Sequence, residues 1–190
     1  YMLPAPPGRW LFIQRGTTFE LEPGSEDSDF PFACPSGVVG GSAPHEQSSP
    51  QCSSLCPAGR LCMAATTELQ PCPQGSYCPK GTPAAISCSA GTFSDSDSLA
   101  SEAECTTCPS GHFCRQGASS PEPCSAGRYG ATPHQTSREC SGPCSEGHYC
   151  LEGSTSSISS ICVAGKYNPT FGGASEAACI WCEEGQASVN

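Results

Sequence analysis

A seven-residue segment of the form C-x-x-G-x-x-C recurs four times and constrains the fold of this chain more than any other feature. Its copies read CPAGRLC at 56–62, CPQGSYC at 72–78, CPSGHFC at 108–114 and CSEGHYC at 144–150. Because a unique catalytic or metal site would not be copied four times along 190 residues, the segment predicts a structural repeat.

Cysteine, and not a hydrophobic core, is expected to hold the chain together. The sequence has 17 cysteines in 190 residues, whereas Leu, Ile, Val and Phe together supply only 24, below the roughly 20% that a packed core needs. Ordering each residue costs about 1–2 kcal/mol of backbone entropy, and a disulfide in a small secreted module contributes about 2–5 kcal/mol. We therefore predict a disulfide scaffold in an extracellular or cell-surface location, reached through the secretory pathway.

Charge and hydropathy argue against several classes of partner. The net charge of −10 leaves no basic patch for phosphates, so we expect neither nucleic-acid binding nor direct membrane insertion. No apolar run reaches 18 residues, and the opening residues lack an initiator Met and a signal-peptide core, as in a mature or processed extracellular chain. No N-x-Ser/Thr acceptor occurs, so any glycan is expected on Ser or Thr, for instance at 94–98 or 154–160.

Aligning the cysteines gives a repeat of four. Between its cysteines lie 15–17, then two or three, then five residues, and the period is 36–38 residues. Such an array predicts small disulfide-rich repeats that form an elongated rod of irregular loops and short β-hairpins with little helix. The expected boundaries are 1–33 for a cysteine-free N-terminal segment, 34–71, 88–123, 124–161 and 162–190 for the repeats, the last incomplete, and 72–87 for a half-repeat.

Two disulfide frames are compatible with this spacing. The half-repeat adds Cys72 and Cys78 without disturbing its neighbours, which favours a bond within each seven-residue segment. Cys182 is then left unpaired, because Ser188 occupies its partner position. The favoured pairs are Cys34–Cys52, Cys56–Cys62, Cys72–Cys78, Cys88–Cys105, Cys108–Cys114, Cys124–Cys140, Cys144–Cys150 and Cys162–Cys179. The rival frame joins Cys62–Cys72, Cys78–Cys88, Cys114–Cys124 and Cys150–Cys162, pairs each C-x2-C or C-x3-C within itself, and leaves Cys34 odd.

The positions inside the segment divide into a turn, an aromatic position and a variable slot. Glycine recurs three residues after the cysteine, where a tight turn needs φ > 0. A large side chain, usually aromatic, follows two residues later and is expected to stack over the disulfide. The residue between them takes every chemistry, which predicts that it faces solvent. We therefore interpret His112 and His148 in this slot as exposed residues, and we assign no role to His45 or His134.

Metal and catalytic chemistry are weaker interpretations of the same residues. The C-x2-C pairs at 105–108 and 179–182 have zinc-like spacing, but an oxidising compartment favours disulfides. A thioredoxin-type site needs a helix at its C-x-x-C, and the acidic run 94–104 lacks the ligand spacing of an EF-hand calcium loop. The sequence has no nucleophile elbow, H-E-x-x-H or phosphate-cradling glycine loop. We predict a protein that is not an enzyme and needs no cofactor.

The stretches CSAGTF…CTTCPSGHFC and CSAGRY…CSGPCSEGHYC, with CPQGSYCPKGT, resemble the ephrin-receptor-like cysteine-rich repeats of animal and protist surface proteins. The resemblance covers residues 34–190 and is greatest to the long versions in algal and other protist proteins, including mastigoneme and cell-coat filament components. The segment is also similar to the first module of a tumour-necrosis-factor-receptor repeat, in which its two cysteines are bonded. The chain departs from the pattern at Ala65, where glycine is missing, and at Ser188.

Residues 1–33 differ from the rest and include RWLFIQRGTTFELE at 9–22, two short apolar or alternating runs around an Arg-Gly-Thr break. We predict a β-hairpin here. Trp10, Phe12, Phe19 and Leu21 would form an apolar face without a core of its own, which makes them interface candidates. Packing of this face on the first repeat is the alternative.

Together these features predict an extracellular structural protein, a disulfide-stapled rod that builds a surface filament or coat. Its expected partners are proteins, either copies of itself or other filament subunits. The alternative is a receptor or adhesion ectodomain that binds a protein ligand, as the animal relatives suggest. An assembly unit would form ordered polymers, whereas a receptor stalk would be monomeric and joined to a membrane span.

Overall fold

The computed structural model describes residues 9–10, 32–40, 52 and 54–184. This part of the chain contains no α-helix, and its helical structure is limited to two 3₁₀ turns at Glu102–Glu104 and Glu176–Ala178. All other regular structure consists of two-residue strands. The predicted fold class of small disulfide-rich repeats, with short hairpins and little helix, is confirmed.

The described strands form nine two-stranded sheets, each made of two strands that are consecutive along the chain. The register is antiparallel, for example with Lys166 opposite Trp181 and Tyr167 opposite Ile180. The sheets are β1 Arg9–Trp10 with β2 Phe32–Ala33, β3 Val38–Val39 with β4 Ser54–Leu55, β5 Arg60–Leu61 with β6 Gln70–Pro71, β7 Ser76–Tyr77 with β8 Ile86–Ser87, β9 Thr92–Phe93 with β10 Thr106–Thr107, β11 His112–Phe113 with β12 Glu122–Pro123, β13 Arg128–Tyr129 with β14 Gly142–Pro143, β15 His148–Tyr149 with β16 Ser160–Ile161, and β17 Lys166–Tyr167 with β18 Ile180–Trp181.

The N-terminal pairing joins Arg9–Trp10 to Phe32–Ala33. Of the hairpin predicted within 9–22, the structure therefore describes only the start of the first strand, Arg9–Trp10. Residues 11–31, which include Phe12, Phe19 and Leu21, lie outside the described part of the chain.

The chain divides into two compact units. The first comprises Tyr1–Ile86 with Asp97–Glu104, and the second comprises Ser87–Ser96 with Cys105–Asn190. Residues 97–104, from the long loop of the repeat predicted at 88–123, thus belong to the first unit.

The buried side chains of the described residues are mostly cysteines. Eleven cysteines have no exposed surface, whereas Val38, Leu99 and Phe113 are the only other large apolar side chains that are buried. The aromatic position is half-buried in most copies, as at Tyr129 and Tyr149. Cross-links therefore occupy the place that aliphatic side chains hold in an ordinary core.

The variable slot is only partly exposed in most described copies, so the expectation that His112 and His148 are exposed residues was wrong. Val38 is buried, His112, His148 and Lys166 are half-buried, and Arg60 is exposed. The slot is the first residue of a strand, so its side chain lies beside the residue opposite it on the partner strand. The histidine rings also lie near the backbone, with Nδ1 of His148 3.0 Å from the Glu146 carbonyl oxygen.

Consecutive segments are joined by backbone hydrogen bonds that repeat along each unit. We number the segments 1 to 9 by their first cysteines, which are Cys34, Cys56, Cys72, Cys88, Cys108, Cys124, Cys144, Cys162 and Cys182. In segment 6, the Gly127 N–H donates to the Cys150 carbonyl at 2.8 Å, and the Gly127 carbonyl accepts from the Cys144 N–H at 2.9 Å. The same two bonds to the next segment form at Gly37, Gly59, Gly91, Gly111 and Gly147.

A second turn after each of segments 2 to 8 adds another bond. The N–H of its central residue donates to the carbonyl of the first cysteine of the preceding segment, as from Gly153 to Cys124 at 2.9 Å. The central residue has positive φ throughout, even at Ala65, Ser98 and His134, where φ is 58°, 64° and 68°. The turn therefore also forms at Ala65, although this position is not a glycine. These bonds together form what we call the inter-segment ladder.

Gly127 needs to be glycine for two separate reasons. Its φ is +86°, and a Cβ there would lie 2.5 Å from the carbonyl oxygen of Gly172, in the second turn after segment 8. Gly147 occupies the equivalent position in segment 7 with φ +76°, but a Cβ there would meet no atom within 4 Å. Comparing Gly127 with Gly147 therefore separates the effect of backbone strain from the effect of the close contact.

Alanine substitution at these two glycines should therefore have different costs. Gly147→Ala strains only the left-handed backbone and should reduce the free energy of unfolding by about 1–2 kcal/mol. Gly127→Ala also forces an overpacked contact and should cost about 1–3 kcal/mol more. Urea unfolding with the disulfides intact measures both values, and equal losses would contradict the close approach at Gly127.

Candidate functional site

The bonded cysteines are the chemical feature on which this fold depends. Four disulfides close a segment on itself over six residues, and four span 16–18 residues. The short pairs are Cys56–Cys62, Cys72–Cys78, Cys108–Cys114 and Cys144–Cys150, and the long pairs are Cys34–Cys52, Cys88–Cys105, Cys124–Cys140 and Cys162–Cys179. This is the frame in which each seven-residue segment closes on itself, and not the rival frame.

The turn glycine brings the two cysteines of a short pair together. In segment 5, Gly111 has φ +78° and reverses the chain between Cys108 and Cys114, whose Cα atoms lie 5.9 Å apart. That separation is in the usual range for a disulfide. The long pairs have Cα separations of 5.7–6.1 Å, so both classes fit the same bond geometry.

The residue at the seventh position of the segment determines whether a short or a long disulfide forms. The sequence pattern did not indicate this role. It is a bonded cysteine in the short class, and in the long class it is Gly40, Ser94, Gly130 or Asn168, all of them buried. At Gly130 a Cβ would lie 3.0 Å from Cys124 Sγ, so a side chain there would require its neighbours to shift. The available signal was that this position is always small or able to form hydrogen bonds.

Asn168 replaces the missing cross-link of segment 8 with hydrogen bonds. Its side chain is 2% exposed, and its Nδ2 donates to the His148 carbonyl at 2.8 Å. Its Oδ1 accepts from the N–H and the hydroxyl of Thr170, each at 3.2 Å. A buried amide with its partners satisfied stabilises the turn that a cysteine holds elsewhere.

The two disulfide classes differ in exposure. All eight cysteines of the short class are fully buried, whereas Cys52, Cys105 and Cys140 of the long class are half-buried. Reagents in solution therefore reach the long class more readily.

Cys182 is unpaired and half-buried. Its N–H donates to the Gly165 carbonyl at 2.9 Å, which is the bond that the first cysteine of every joined segment makes. The backbone of Cys182 thus continues the inter-segment ladder, while Ser188 lies outside the described residues.

The acidic and histidine side chains of the described residues are dispersed. In the described ranges no group of three or more His, Cys, Asp or Glu residues could hold a metal ion. Glu176 lies 3.6 Å from Lys166, and Glu139 lies 3.6 Å from Arg138, and such exposed pairs contribute little. The backbone N–H of Glu139, followed by the Ser137 side chain, lowers the pKa of the Glu139 carboxyl.

Among the interface candidates only Trp10 falls in a described strand, where it lies opposite Phe32. Within the described residues, none of the helical stretches has the length and apolar content needed to cross a bilayer. The fold and its cross-links define a cysteine-rich, disulfide-stabilised protein, which indicates an extracellular or secreted compartment. No protein-family model matches the chain, and no curated protein matches it.

Peptide mapping of the non-reduced protein should recover the short bond Cys108–Cys114 and the long bond Cys124–Cys140. Cys182 should react with an alkylating reagent without prior reduction, because no other cysteine is bonded to it. A peptide that joins Cys114 to Cys124 would contradict this connectivity.

The same experiment with limiting reductant tests the difference in exposure. Cys105 and Cys140 should be alkylated before Cys108 and Cys114, since an accessible disulfide exchanges faster than a buried one. Simultaneous labelling of both classes would mean that the chain unfolds before either class is reduced.

Stability should depend on redox conditions and not on metal. Excess EDTA should leave the circular dichroism spectrum and the protease resistance of the oxidised protein unchanged. Full reduction should convert the chain to a disordered, protease-sensitive polymer, because the cross-links stand in for a core. Loss of structure on adding EDTA alone would require a metal in the fold.

Proposed function

We propose that this chain is a non-enzymatic structural protein of the cell surface, whose disulfide-stapled repeats build a filament or coat. The observation that supports the proposal is the inter-segment ladder, in which successive segments within each unit are joined by the same kinds of backbone bond. Because these backbone bonds join successive segments, the array is suited to transmitting mechanical load along its length.

The proposal also covers the partners, the glycans and the class of the repeats. We propose that the partners are copies of the chain or other filament subunits, and that no cofactor is needed. O-linked glycans would fit the exposed hydroxyls of the 154–160 loop, where Thr155 and Ser159 face solvent. We also propose that the repeats belong to the ephrin-receptor-like cysteine-rich class. The closed pair Cys108–Cys114 is the bond expected from the similar first module of a tumour-necrosis-factor-receptor repeat.

A receptor or adhesion ectodomain is the second candidate. The observation that favours it is a set of exposed apolar side chains in the second unit, among them Phe171 and Trp181 at 64% and 71% exposure, because such surface often binds another protein. The two candidates differ in their assembly. A structural subunit forms ordered polymers, and a ligand-binding stalk remains a monomer.

Assembly of the intact chain tests the proposal. The oxidised protein should form ordered polymers by negative-stain electron microscopy, and a variant without residues 1–22 should keep its eight disulfides and fail to polymerise. The double substitution Phe12→Ser/Phe19→Ser is the matched variant that keeps the chain length, and it should fail in the same way.

Two results would count against this proposal. An intact chain that stays monomeric at every concentration in analytical ultracentrifugation would favour the ectodomain. Filaments of the truncated chain indistinguishable from those of the intact chain would place the contacts in the repeat loops instead.

A further inference from the structure

The residue before the first cysteine of each segment lies at an equivalent place on every step of the ladder. In the second unit, the N–H of each following cysteine donates to the turn glycine of the segment before it, for example Cys162 to Gly147 and Cys182 to Gly165. Equivalent bonds place these preceding residues on the same side of successive segments. From segment 6 onward they are apolar and exposed, and we call them the apolar row: Pro123, Pro143, Ile161 and Trp181.

The apolar row has no covering element among the described residues. Ile161 is 49% exposed and Trp181 is 71% exposed, and Val163, which follows Cys162, is 49% exposed. The Lys166 ammonium packs on the row at its Trp181 end, 4.9 Å from the centre of the Trp181 ring. Exposed apolar side chains that recur at equivalent places in this way often form an interaction site.

A row of nitrogen bases lies directly beside the apolar row. The strand pairing places His112 opposite Pro123 and Arg128 opposite Pro143. It likewise places His148 opposite Ile161 and Lys166 opposite Trp181. Side chains that face each other across an antiparallel pair share one face of the sheet. This face therefore combines apolar and basic groups in a chain of net charge −10, although Glu176 lies 3.6 Å from Lys166.

The chain carries a segment of complementary composition. Residues 11–31 lie between β1 and β2, whose pairing holds the two ends of this 21-residue stretch together. The stretch contains six large apolar residues, five acidic residues and one base. The apolar residues are Leu11, Phe12, Ile13, Phe19, Leu21 and Phe30, and the acidic residues are Glu20, Glu22, Glu26, Asp27 and Asp29.

We propose that residues 11–31 of one copy dock on the apolar row of a second copy, with their carboxylates toward the adjacent basic row. This inference rests on the proposed filament function and names the contact that builds it. The donor segment and the acceptor face are different surfaces, so the contact is heterologous and can propagate from copy to copy without closing. Charge complementarity fixes which face is used.

Cross-linking identifies the occupant. The full-length oxidised chain with p-benzoylphenylalanine in place of Phe19 is mixed with an equal amount of ¹⁵N-labelled chain and irradiated under assembly conditions. Cross-linked peptides should join residues 11–31 to the 123–181 region, and about half of them should contain both isotopes, since each donor meets labelled and unlabelled copies equally often. Cross-links that never contain both isotopes would show that the segment covers its own copy, and cross-links to the exposed Leu55 and Met63 would place it on another face. Either result would overturn the inference.

Surface variants test the acceptor face. Ile161→Asp/Trp181→Asp should raise the concentration needed for assembly at least about tenfold, because it places charge in the apolar contact. Leu55→Asp/Met63→Asp is the matched control, since those side chains are 53% and 55% exposed, and it should assemble as the intact chain does. Added salt should also weaken assembly of the intact chain by screening the basic row.

The outcomes separate this inference from the function on which it rests. Non-reduced peptide mapping of both variants first verifies that all eight disulfides are present. If the intact chain polymerises and Ile161→Asp/Trp181→Asp has no effect, the docking site is wrong and the filament function stands. If the intact chain never polymerises, both fail.

Discussion

The pair of backbone hydrogen bonds that joins a turn glycine to the next segment, formed at six of the turn glycines, is the interaction on which the other features depend. Gly127 both donates to Cys150 and accepts from Cys144, and it can do so because its positive φ turns the peptide groups toward the next segment. The disulfides are added to this arrangement. With the glycine turn in place, Cys144 and Cys150 have Cα atoms 5.8 Å apart, within bonding range.

The cross-links and the inter-segment ladder together stabilise the chain in the way that a hydrophobic core stabilises other proteins. The ladder satisfies the backbone groups that irregular structure would otherwise leave without partners, and the buried sulfurs exclude water from the interior of each segment. Where a segment has no short disulfide, a residue such as Asn168 fills the vacated position and bonds the backbone itself. Because each step depends mainly on the next, a local substitution of this kind leaves distant segments intact.

The fold class was predictable because cysteine count, cysteine spacing and the turn glycines are written directly in the sequence. The second turn was not, since Ala65, Ser98 and His134 occupy the same left-handed conformation as the glycines of other copies and share no residue type with them. The exposure of the variable slot was predicted wrongly for a related reason. The residue type in the slot varies between copies, yet each of these side chains lies beside a residue of the partner strand, as His148 does beside Ile161. Variation between copies does not reveal that pairing.

A ladder of backbone bonds also separates the residues that specify the fold from those free to vary. A bonded cysteine cannot change without losing its cross-link, and a side chain at the turn glycine Gly127 would meet the Gly172 carbonyl oxygen. The seventh position is limited to cysteine, glycine, serine and asparagine in the described copies. The positions before the cysteine and in the variable slot have no such constraint, so their side chains change from copy to copy. Because equivalent bonds align these free positions within the second unit, residues far apart in the sequence, such as Pro123 and Trp181, occupy equivalent places on successive segments. Under the proposed docking, a partner would therefore be recognised by a row of residues across several segments and not by any single segment.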